Sequence, residues 1–333
     1  METRLLTTNH EDLCLAAEII AAGGLVAFPT ETVYGLGGDA MNPSAAALIY
    51  EAKGRPSDNP LIVHLARPDD AVQLAEWIPD AFDKLAARFW PGPLTMVVPK
   101  KAAVPDATTG GLSTVAMRMP DNPAALEMIR LAQTPVAAPS ANLSGRPSPT
   151  CWEHVWEDMN GRIDAIITGE PSPGGIESTV LDLTGSVPTI LRPGLVTPEE
   201  IGGVLGQLVP YDPAILGSFD PEKPPRAPGM KYRHYAPRAE MVVYRGDPEA
   251  VVRAVEARRL REVAAGRSVE VLLYGREENR LIAREFFSRL RQADETGADL
   301  ILAAAVSAED SIGFSIMNRM LKAAGYRIEE VTK

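Results

Sequence analysis

Short apolar runs alternate with helix-like segments through the first two-thirds of the chain, and proline or glycine ends many of them. Residues 24–28 are apolar and stop at Pro29, which is typical of a buried strand. Pro43–Lys53 has proline at its start and Gly54 after its end, which predicts a helix. Further strands are predicted at 61–65, 94–98, 115–119, 135–139, 165–168, 179–183 and 188–191, and further helices at 79–90, 123–132 and 198–205. This mixture predicts an α/β domain with a mixed sheet.

The pattern changes at residue 210, because residues 210–237 contain seven prolines. Such a stretch predicts an extended linker without helix or central strand. Its length also suits a segment that closes over an active site. Beyond it, strands are predicted at 241–244, 269–274 and 298–302, and helices at 247–259, 277–292 and 307–324. This rhythm predicts a smaller, parallel, Rossmann-like domain, although it lacks a Gly-x-Gly-x-x-Gly dinucleotide signature. The predicted boundaries are 1–206, 207–238 for linker and lid, and 239–333.

Composition and charge narrow the functional classes. The 333 residues are 45% hydrophobic and 23% charged, as in ordinary globular proteins. A net charge of −11 counts against a module that holds nucleic acid nonspecifically. Two cysteines and four scattered histidines do not form a Cys/His zinc motif. With no signal-peptide pattern and no apolar run of membrane-spanning length, the sequence predicts a cytoplasmic protein without a membrane partner.

Six polar clusters punctuated by glycine or proline stand beside the predicted elements of the first domain. They are residues 29–37, 53–60, 114–118, 138–148, 174–180 and 192–194. Each has an ordinary structural explanation. The first cluster is typical of a polar turn, and Lys53 and Arg55 could cap the C-terminus of a helix. His64, on an apolar strand, could be an ordinary core residue. Arg118 could form a surface ion pair.

Six such clusters in one domain nevertheless favour a pocket rich in hydrogen-bond donors and cations. Neither a P-loop nor a Gly-x-Ser-x-Gly nucleophile elbow is present in the sequence. This combination suits phosphoryl or adenylyl transfer by positioning and charge rather than through a covalent enzyme intermediate.

Taken together, the clusters resemble the Sua5/YrdC family in its long two-domain form. The matching strings are PTETVYGLG at 29–37, KGRP at 53–56, DNPL at 58–61, SANLSG at 140–145, ESTV at 177–180, RPG at 192–194 and PGMKYRHYAP at 228–237. The resemblance implies a twisted mixed-sheet YrdC-like domain followed by a smaller Rossmann-like domain. It also implies formation of threonylcarbamoyl-AMP and pyrophosphate from ATP, bicarbonate and L-threonine. The product would serve a separate transferase that modifies adenosine 37 of tRNA, so that tRNA is only an indirect partner.

The resemblance also assigns roles to residues. It implies that threonine is held by Thr32, His64, Arg118 and Ser178, and ATP by Arg55, Asn59, Thr114, Ser140, Ser148 and Arg192. Lys53 and Asn142 would face the phosphates, with Tyr34 as a wall of the pocket. Tyr235 is the predicted lid contact to ATP, with Lys231 and His234 as alternatives. Mg²⁺ would arrive on the ATP phosphates without protein ligands.

Three other functions fit parts of the same pattern. A binding module for tRNA or double-stranded RNA is disfavoured by the acidic charge. A carbamoyl-adenylate-forming domain of the hydrogenase-maturation type is also disfavoured. Those proteins carry zinc-finger-like cysteines, whereas this chain has only two cysteines and no such motif. A regulatory domain without activity is a third alternative, which the intact set of Lys53, Arg55, Ser140 and Asn142 disfavours.

Overall fold

The computed structural model describes residues 2–216, 234–274 and 278–332, and these form two compact units. The first unit contains the described residues up to 144 together with 148–216. The second contains the described residues from 234 onward and also the short segment Gly145–Pro147.

A ten-stranded mixed sheet organises the first unit. Its strands are β1 (Arg4–Leu6), β2 (Val26–Phe28), β3 (Gly35–Asp39), β4 (Ile62–His64), β5 (Leu94–Pro99), β6 (Thr114–Arg118), β7 (Val136–Ala137), β8 (Ala165–Ile167), β9 (Thr179–Asp182) and β10 (Thr189–Arg192). The order across the sheet is β1-β8-β2-β3-β7-β4-β6-β5-β9-β10. Strand β6 runs parallel to β4 and antiparallel to β5, which confirms the predicted mixed α/β fold.

The helices of this unit are α1 (His10–Ala21), α2 (Pro43–Lys53), α3 (Asp80–Phe89), α4 (Asp106–Thr109), α5 (Pro123–Ala132), α6 (Trp152–Met159), α7 (Pro198–Leu205) and α8 (Pro213–Leu216), with a 3₁₀ helix at Pro68–Gln73. Four of them, α1, α2, α5 and α7, begin after a residue whose side chain caps the helix. Helices α2, α5 and α7 have the predicted bounds. Each of the three begins with proline after a residue whose side chain caps the helix, and α2 ends at Gly54 with φ 60°.

Several elements of this unit were not predicted from the sequence, among them β1, α1, β3, α4, α6 and the 3₁₀ helix. Strand β3 has the sequence GLGGD, which lacks the branched and aromatic residues that indicate a strand. The structure explains its composition. A Cβ on Gly37 would lie 2.8 Å from the Phe28 ring and from Val136, so the neighbouring strands leave no room for a side chain.

The prediction that the proline-rich stretch contains no helix was wrong at one place. Residues Pro213–Leu216 form the one-turn helix α8, which proline permits at the first helical position. Just before it, Tyr211 bridges to Ile190 at the edge of the sheet. Residues 217–233, which include Lys231 and most of the predicted lid, lie outside the described residues.

Hydrophobic side chains pack on both faces of the sheet. One face carries the main core, which includes Val63, Met96 and Met117. The other face is divided. Around β2 and β8 it packs on α1 and α5, whereas across β4, β6, β5, β9 and β10 it carries a small apolar cluster. The five members of that cluster are Ile62, Val97, Ala116, Val180 and Leu191.

The second unit is built on a four-stranded parallel sheet, which confirms the predicted Rossmann-like architecture. Its strands are β11 (Glu240–Gly246), β12 (Val269–Leu272), β13 (Leu300–Ala304) and β14 (Ile328–Val331), in the order β12-β13-β11-β14. The helices are α9 (Pro248–Ala264), α10 (Asn279–Glu295) and α11 (Ser311–Ala323). Strand β14 was not predicted. In the part of the chain that the structure describes, no helix has both the length and the apolar character needed to span a bilayer.

Candidate functional site

Polar side chains surround the small apolar cluster on the divided face of the sheet. His64 and Arg118 are direct partners in the parallel pairing of β4 with β6. Because side chains alternate between the two faces of a strand, both project to the side of Ile62 and Ala116, away from the main core. Thr114, at the start of β6, has the same parity and faces the same side. Three of the predicted site residues, His64, Thr114 and Arg118, therefore share one face of the sheet.

Arg118 is buried at the end of β6 and contacts a carboxylate from another part of the chain. Its Nη2 lies 2.5 Å from Oε2 of Glu31, and the two side chains are only 5% and 11% exposed. Its Nε donates to the carbonyl of Gly92 at 3.3 Å. The predicted surface ion pair is therefore wrong in its location, because the pair is buried inside the first unit. Glu31 had no assigned role in the sequence analysis, although it stands inside the first motif.

His64 is held as a neutral imidazole beside Arg118. Its ring meets the Phe28 ring edge-on at 5.9 Å, and Nδ1 lies 3.1 Å from the carbonyl of Ile62. Burial, with a further contribution from the Arg118 guanidinium, lowers the pKa of His64 to about 3. This residue is thus a buried core histidine that neighbours Arg118.

Ser178 and Arg192 form a second polar group on the next strands. Arg192 donates from Nε to the carbonyl of Ser178 and from Nη2 to its hydroxyl, both at 3.0 Å. The Ser178 hydroxyl also lies 2.8 Å from that of Thr95. Thr95 had not been identified from the sequence, since a single threonine in an apolar strand gives no signal.

The glycine of the RPG motif permits this arrangement. A Cβ on Gly194 would lie 2.4 Å from the amide nitrogen of Thr179 and 2.7 Å from the carbonyl carbon of Ser178. Two backbone segments thus approach within a distance that only glycine allows. The motif fixes the position of Ser178 against Arg192.

Lys53 connects the end of α2 to the segment that contains Ser140 and Asn142. Its ammonium donates to the carbonyls of Ser140 at 2.5 Å and Asn142 at 2.6 Å. The Ser140 hydroxyl donates to Oδ1 of Asn142 at 2.5 Å. Further along, the Ser148 hydroxyl donates to Oε1 of Glu177 at 2.6 Å. Lys53, Ser140 and Asn142 are thus joined by hydrogen bonds, and Glu177, which had no predicted role, contacts Ser148.

Arg55 and Asn59 form a compact turn after the same helix. The Arg55 guanidinium donates to the carbonyls of Asn59 at 3.4 Å and Pro60 at 3.2 Å, and the Tyr50 hydroxyl donates to Asn59 at 3.1 Å. Backbone groups close the helix, because the amides of Gly54 and Arg55 donate to the carbonyls of the last turn. The alternative that Lys53 and Arg55 serve mainly as helix caps is therefore weakened.

Thr32 and Tyr34 lie in the turn between β2 and β3. The Thr32 hydroxyl is buried 2.9 Å from that of Thr30. Tyr34 donates its hydroxyl proton to the carbonyl of Gly169 at 2.9 Å and accepts from the Gly169 amide at 3.1 Å. Burial raises the pKa of Tyr34. Its hydroxyl therefore anchors the turn to the backbone of a distant segment.

Thr114 is separated from Arg118 by the length of β6, about 13 Å at the usual rise of a strand. It borders a cavity of about 180 Å³ whose other lining residues are Val97, Leu112, Ser113, Asp182, Thr184 and Leu191. The cavity adjoins the small apolar cluster through Val97 and Leu191. Arg118 and the cavity therefore lie toward opposite ends of β6.

Tyr235 belongs to the second unit. It has a left-handed backbone with φ 67°, is buried, and stacks its ring at 5.1 Å from Phe287 in α10. The neighbouring His234 ring lies 5.5 Å from it. The predicted contact of Tyr235 with ATP stays a prediction.

No cluster of three or more His, Cys, Asp or Glu side chains suited to a metal ion occurs among residues 2–216, 234–274 and 278–332. Among the carboxylates described above, Glu31 contacts Arg118, Glu177 accepts from Ser148 and Asp182 accepts from Thr184. The segments described above also carry hydroxyls, amides and cations, which are the kinds of group that bind phosphate and carboxylate.

Comparisons with known proteins agree with this architecture. Residues 18–194 match the Sua5/YciO/YrdC family profile, described as telomere recombination, and residues 196–325 match a profile described as the threonylcarbamoyl-AMP synthase C-terminal domain. The chain is 49% identical to the threonylcarbamoyl-AMP synthase of Pyrococcus abyssi over 95% of both chains. It is 43% identical to that of Bacillus subtilis, covering 97% of this chain and 96% of the relative. The crystal structure of P. abyssi Sua5 complexed with L-threonine superposes with a TM-score of 0.94 at 46% identity over the whole of both chains. The chain therefore belongs to the Sua5/YrdC family, in its two-domain form.

Proposed function

We propose that the protein is an L-threonylcarbamoyladenylate synthase, a nucleotidyltransferase that converts ATP, bicarbonate and L-threonine into threonylcarbamoyl-AMP and pyrophosphate. The observation that carries the proposal is a pair of buried guanidinium groups, Arg118 and Arg192, which are 4% and 7% exposed at the ends of two strands of one sheet. Buried arginines beside hydroxyl groups form a receptor for carboxylate and phosphate groups. Family membership supplies the reaction that needs both kinds of anion.

The threonine end is assigned to Arg118, with Thr32, His64 and Ser178 around it. A guanidinium fork binds a carboxylate through two parallel hydrogen bonds, and Nη1 and Nη2 of Arg118 project beyond the Nε that Gly92 engages. Neutral His64 adds polarity without a second positive charge. This environment suits the carboxylate and hydroxyl of a small amino acid.

The nucleotide is assigned to the other polar groups and to the cavity beside Thr114. Arg55, Asn59, Ser140, Ser148 and Arg192 supply cations, hydroxyls and an amide for the phosphates and ribose. The cavity of about 180 Å³ offers a partly apolar wall for the base. The separation of about 13 Å along β6 leaves room for an amino acid and a nucleoside joined through one phosphate.

In the proposed reaction, the threonine amine first takes up the CO₂ unit of bicarbonate to give a carbamate, and one water is released. A carbamate oxygen then attacks the α-phosphorus of ATP, and the bond to the departing pyrophosphate breaks. Lys53, Arg55 and Asn142 orient and stabilise the phosphates, and Mg²⁺ is proposed to enter with ATP and offset their charge. The product would be used in the cytoplasm by a separate transferase that acts on tRNA. The proline-rich linker at 207–238, which contains Tyr235, is proposed to exclude water during the reaction.

The test measures pyrophosphate release with each substrate omitted in turn and identifies the nucleotide product by mass. Release should require threonine and bicarbonate together, and the product should have the mass of threonylcarbamoyl-AMP. Arg118→Ala should abolish the response to threonine. Arg130→Ala, which removes an exposed arginine paired with Glu127, should leave it unchanged. Equal release without threonine would rule out the proposed activity.

A further inference from the structure

The buried contact between Glu31 and Arg118 pairs the cation of the threonine site with a carboxylate of the enzyme itself. The two charged atoms are 2.5 Å apart. Yet neither oxygen of Glu31 nor Nη2 of Arg118 makes a hydrogen bond of normal geometry to another described residue. The two charged groups are therefore close together, but their hydrogen-bonding capacity is poorly satisfied. Buried ion pairs repay their desolvation only when geometry and further hydrogen bonds are good, so this pair is suited to exchange its partners.

The backbone around Glu31 is fixed, so that exchange requires only movement of the side chain. The carbonyl of Glu31 accepts from the amide of Gly174 at 2.8 Å. A Cβ on Gly174 would lie 2.7 Å from that carbonyl, so the two segments are in close contact. The Thr30 hydroxyl closes the same turn by donating to the carbonyl of Val33 at 2.6 Å. Only the Glu31 side chain needs to rotate.

An amino acid entering this site carries one charge of each sign. If its carboxylate takes Arg118, the Glu31 carboxylate loses its partner in a place from which water is largely excluded. The amino acid's ammonium, attached to the same α-carbon as the carboxylate, is the one group that restores the balance. One internal pair is then replaced by two pairs with the ligand, and no buried charge is left alone.

We propose that Glu31 is the recognition residue for the α-ammonium group of the amino acid substrate, and that Arg118 holds it in place until the substrate enters. The inference rests on the proposed function in one respect, the assignment of the threonine carboxylate to Arg118. It adds a specificity: the site selects α-amino acids over α-hydroxy acids of the same shape. Glu31 thereby positions the nitrogen that becomes the carbamate nitrogen.

The experiment measures binding by calorimetry without ATP or bicarbonate, using L-threonine and 2,3-dihydroxybutanoate of matching configuration, in which a hydroxyl replaces the ammonium. The wild-type protein should prefer threonine. In Glu31→Gln, threonine should bind at least about tenfold more weakly, the loss expected for one charge-assisted hydrogen bond. The hydroxy acid should bind this variant as well as it binds the wild type, or more tightly. Glu76→Gln, at an exposed position, should match the wild type.

The other outcomes separate the possible errors. Tighter binding of both ligands to Glu31→Gln would mean that Glu31 merely occupies Arg118, and equally weaker binding of both would mean a structural role. Either result overturns the inference. If Arg118→Ala still binds threonine with wild-type affinity, the assignment of the carboxylate fails as well. If Arg118→Ala loses threonine while Glu31→Gln binds both ligands as the wild type does, only the role of Glu31 is wrong.

Discussion

The buried histidine beside Arg118 should make the first unit sensitive to mild acid. His64 is 3% exposed, and burial together with the Arg118 charge lowers its pKa from 6.5 to about 3 in the folded protein. In the unfolded chain the pKa returns to about 6.5. Between these two values the unfolded chain binds a proton on His64 that the folded chain does not bind. The free energy of unfolding must therefore fall as the pH drops below 6.5, and be unaffected by this group above it.

The size of the effect follows from the same two values. A difference of one proton changes the free energy of unfolding by about 1.4 kcal/mol per pH unit. From pH 6.5 to pH 5.0, His64 alone should therefore remove about 2 kcal/mol of stability. This is a large fraction of the 5–15 kcal/mol that is typical of a domain.

Urea unfolding at pH 7.5 and pH 5.0 tests this expectation in the wild type, in His64→Asn and in His10→Asn. All four tryptophans of the chain, at positions 77, 90, 152 and 156, lie in the first unit, so their fluorescence reports its unfolding. The loss of stability between the two pH values should be about 2 kcal/mol smaller in His64→Asn than in the wild type. His10 has a side chain 73% exposed, and its variant should behave as the wild type. An equal acid loss in the wild type and His64→Asn would refute the reasoning.

Three further predictions concern the phosphate residues, the RPG motif and the linker. Lys53→Ala and Arg55→Ala should each reduce the initial rate of pyrophosphate release at least about tenfold. A charge-assisted contact to phosphate is worth about 1.5–3 kcal/mol, and a factor of ten in rate corresponds to about 1.4 kcal/mol. Near-wild-type rates in both variants would show that these residues have only a structural role. Gly194→Ala should lower the stability of the first unit by at least about 1–3 kcal/mol, because the added Cβ would overlap backbone at 2.4 Å, and an unchanged urea midpoint would contradict this. A chain ending at residue 206 should fold but lose much of its activity. The full chain with residues 231–235 replaced by glycine and serine should also lose much of its activity. If the replaced chain keeps the wild-type rate and ATP affinity, the linker does not act as a lid.

Helix bounds were the part of the fold most accessible from the sequence. Helices α2, α5 and α7 were predicted with the bounds they have, because proline fixes the first position and a capping side chain precedes it. Strand β3 could not be found in the same way. Its Gly37 is required because Phe28 and Val136, on neighbouring strands, leave no room for a side chain. A local sequence pattern contains no information about such neighbours.

In the candidate site, too, some residues could be identified from the sequence, whereas some contacts appear only in the structure. The motifs identified Lys53, Ser140 and Asn142 as a group, and the structure joins them through hydrogen bonds. The motifs did not reveal that Glu31 meets Arg118 or that Thr95 meets Ser178. Glu31 stands within a motif but its partner is on a distant strand, and Thr95 is outside every motif.

By itself, the sequence determined which short segments are rich in polar motifs, where helices α2, α5 and α7 begin and end, and that two α/β units follow one another. These are properties of neighbouring residues, since capping, turn formation and strand alternation act over a few positions. The tertiary structure alone decided which strand ends lie side by side, and which face of the sheet α1 and α5 leave to the polar residues. The physical reason is that strand order and register are fixed by packing across the whole unit, so that charges far apart in sequence, such as those of Glu31 and Arg118, become a buried pair only after the sheet has assembled.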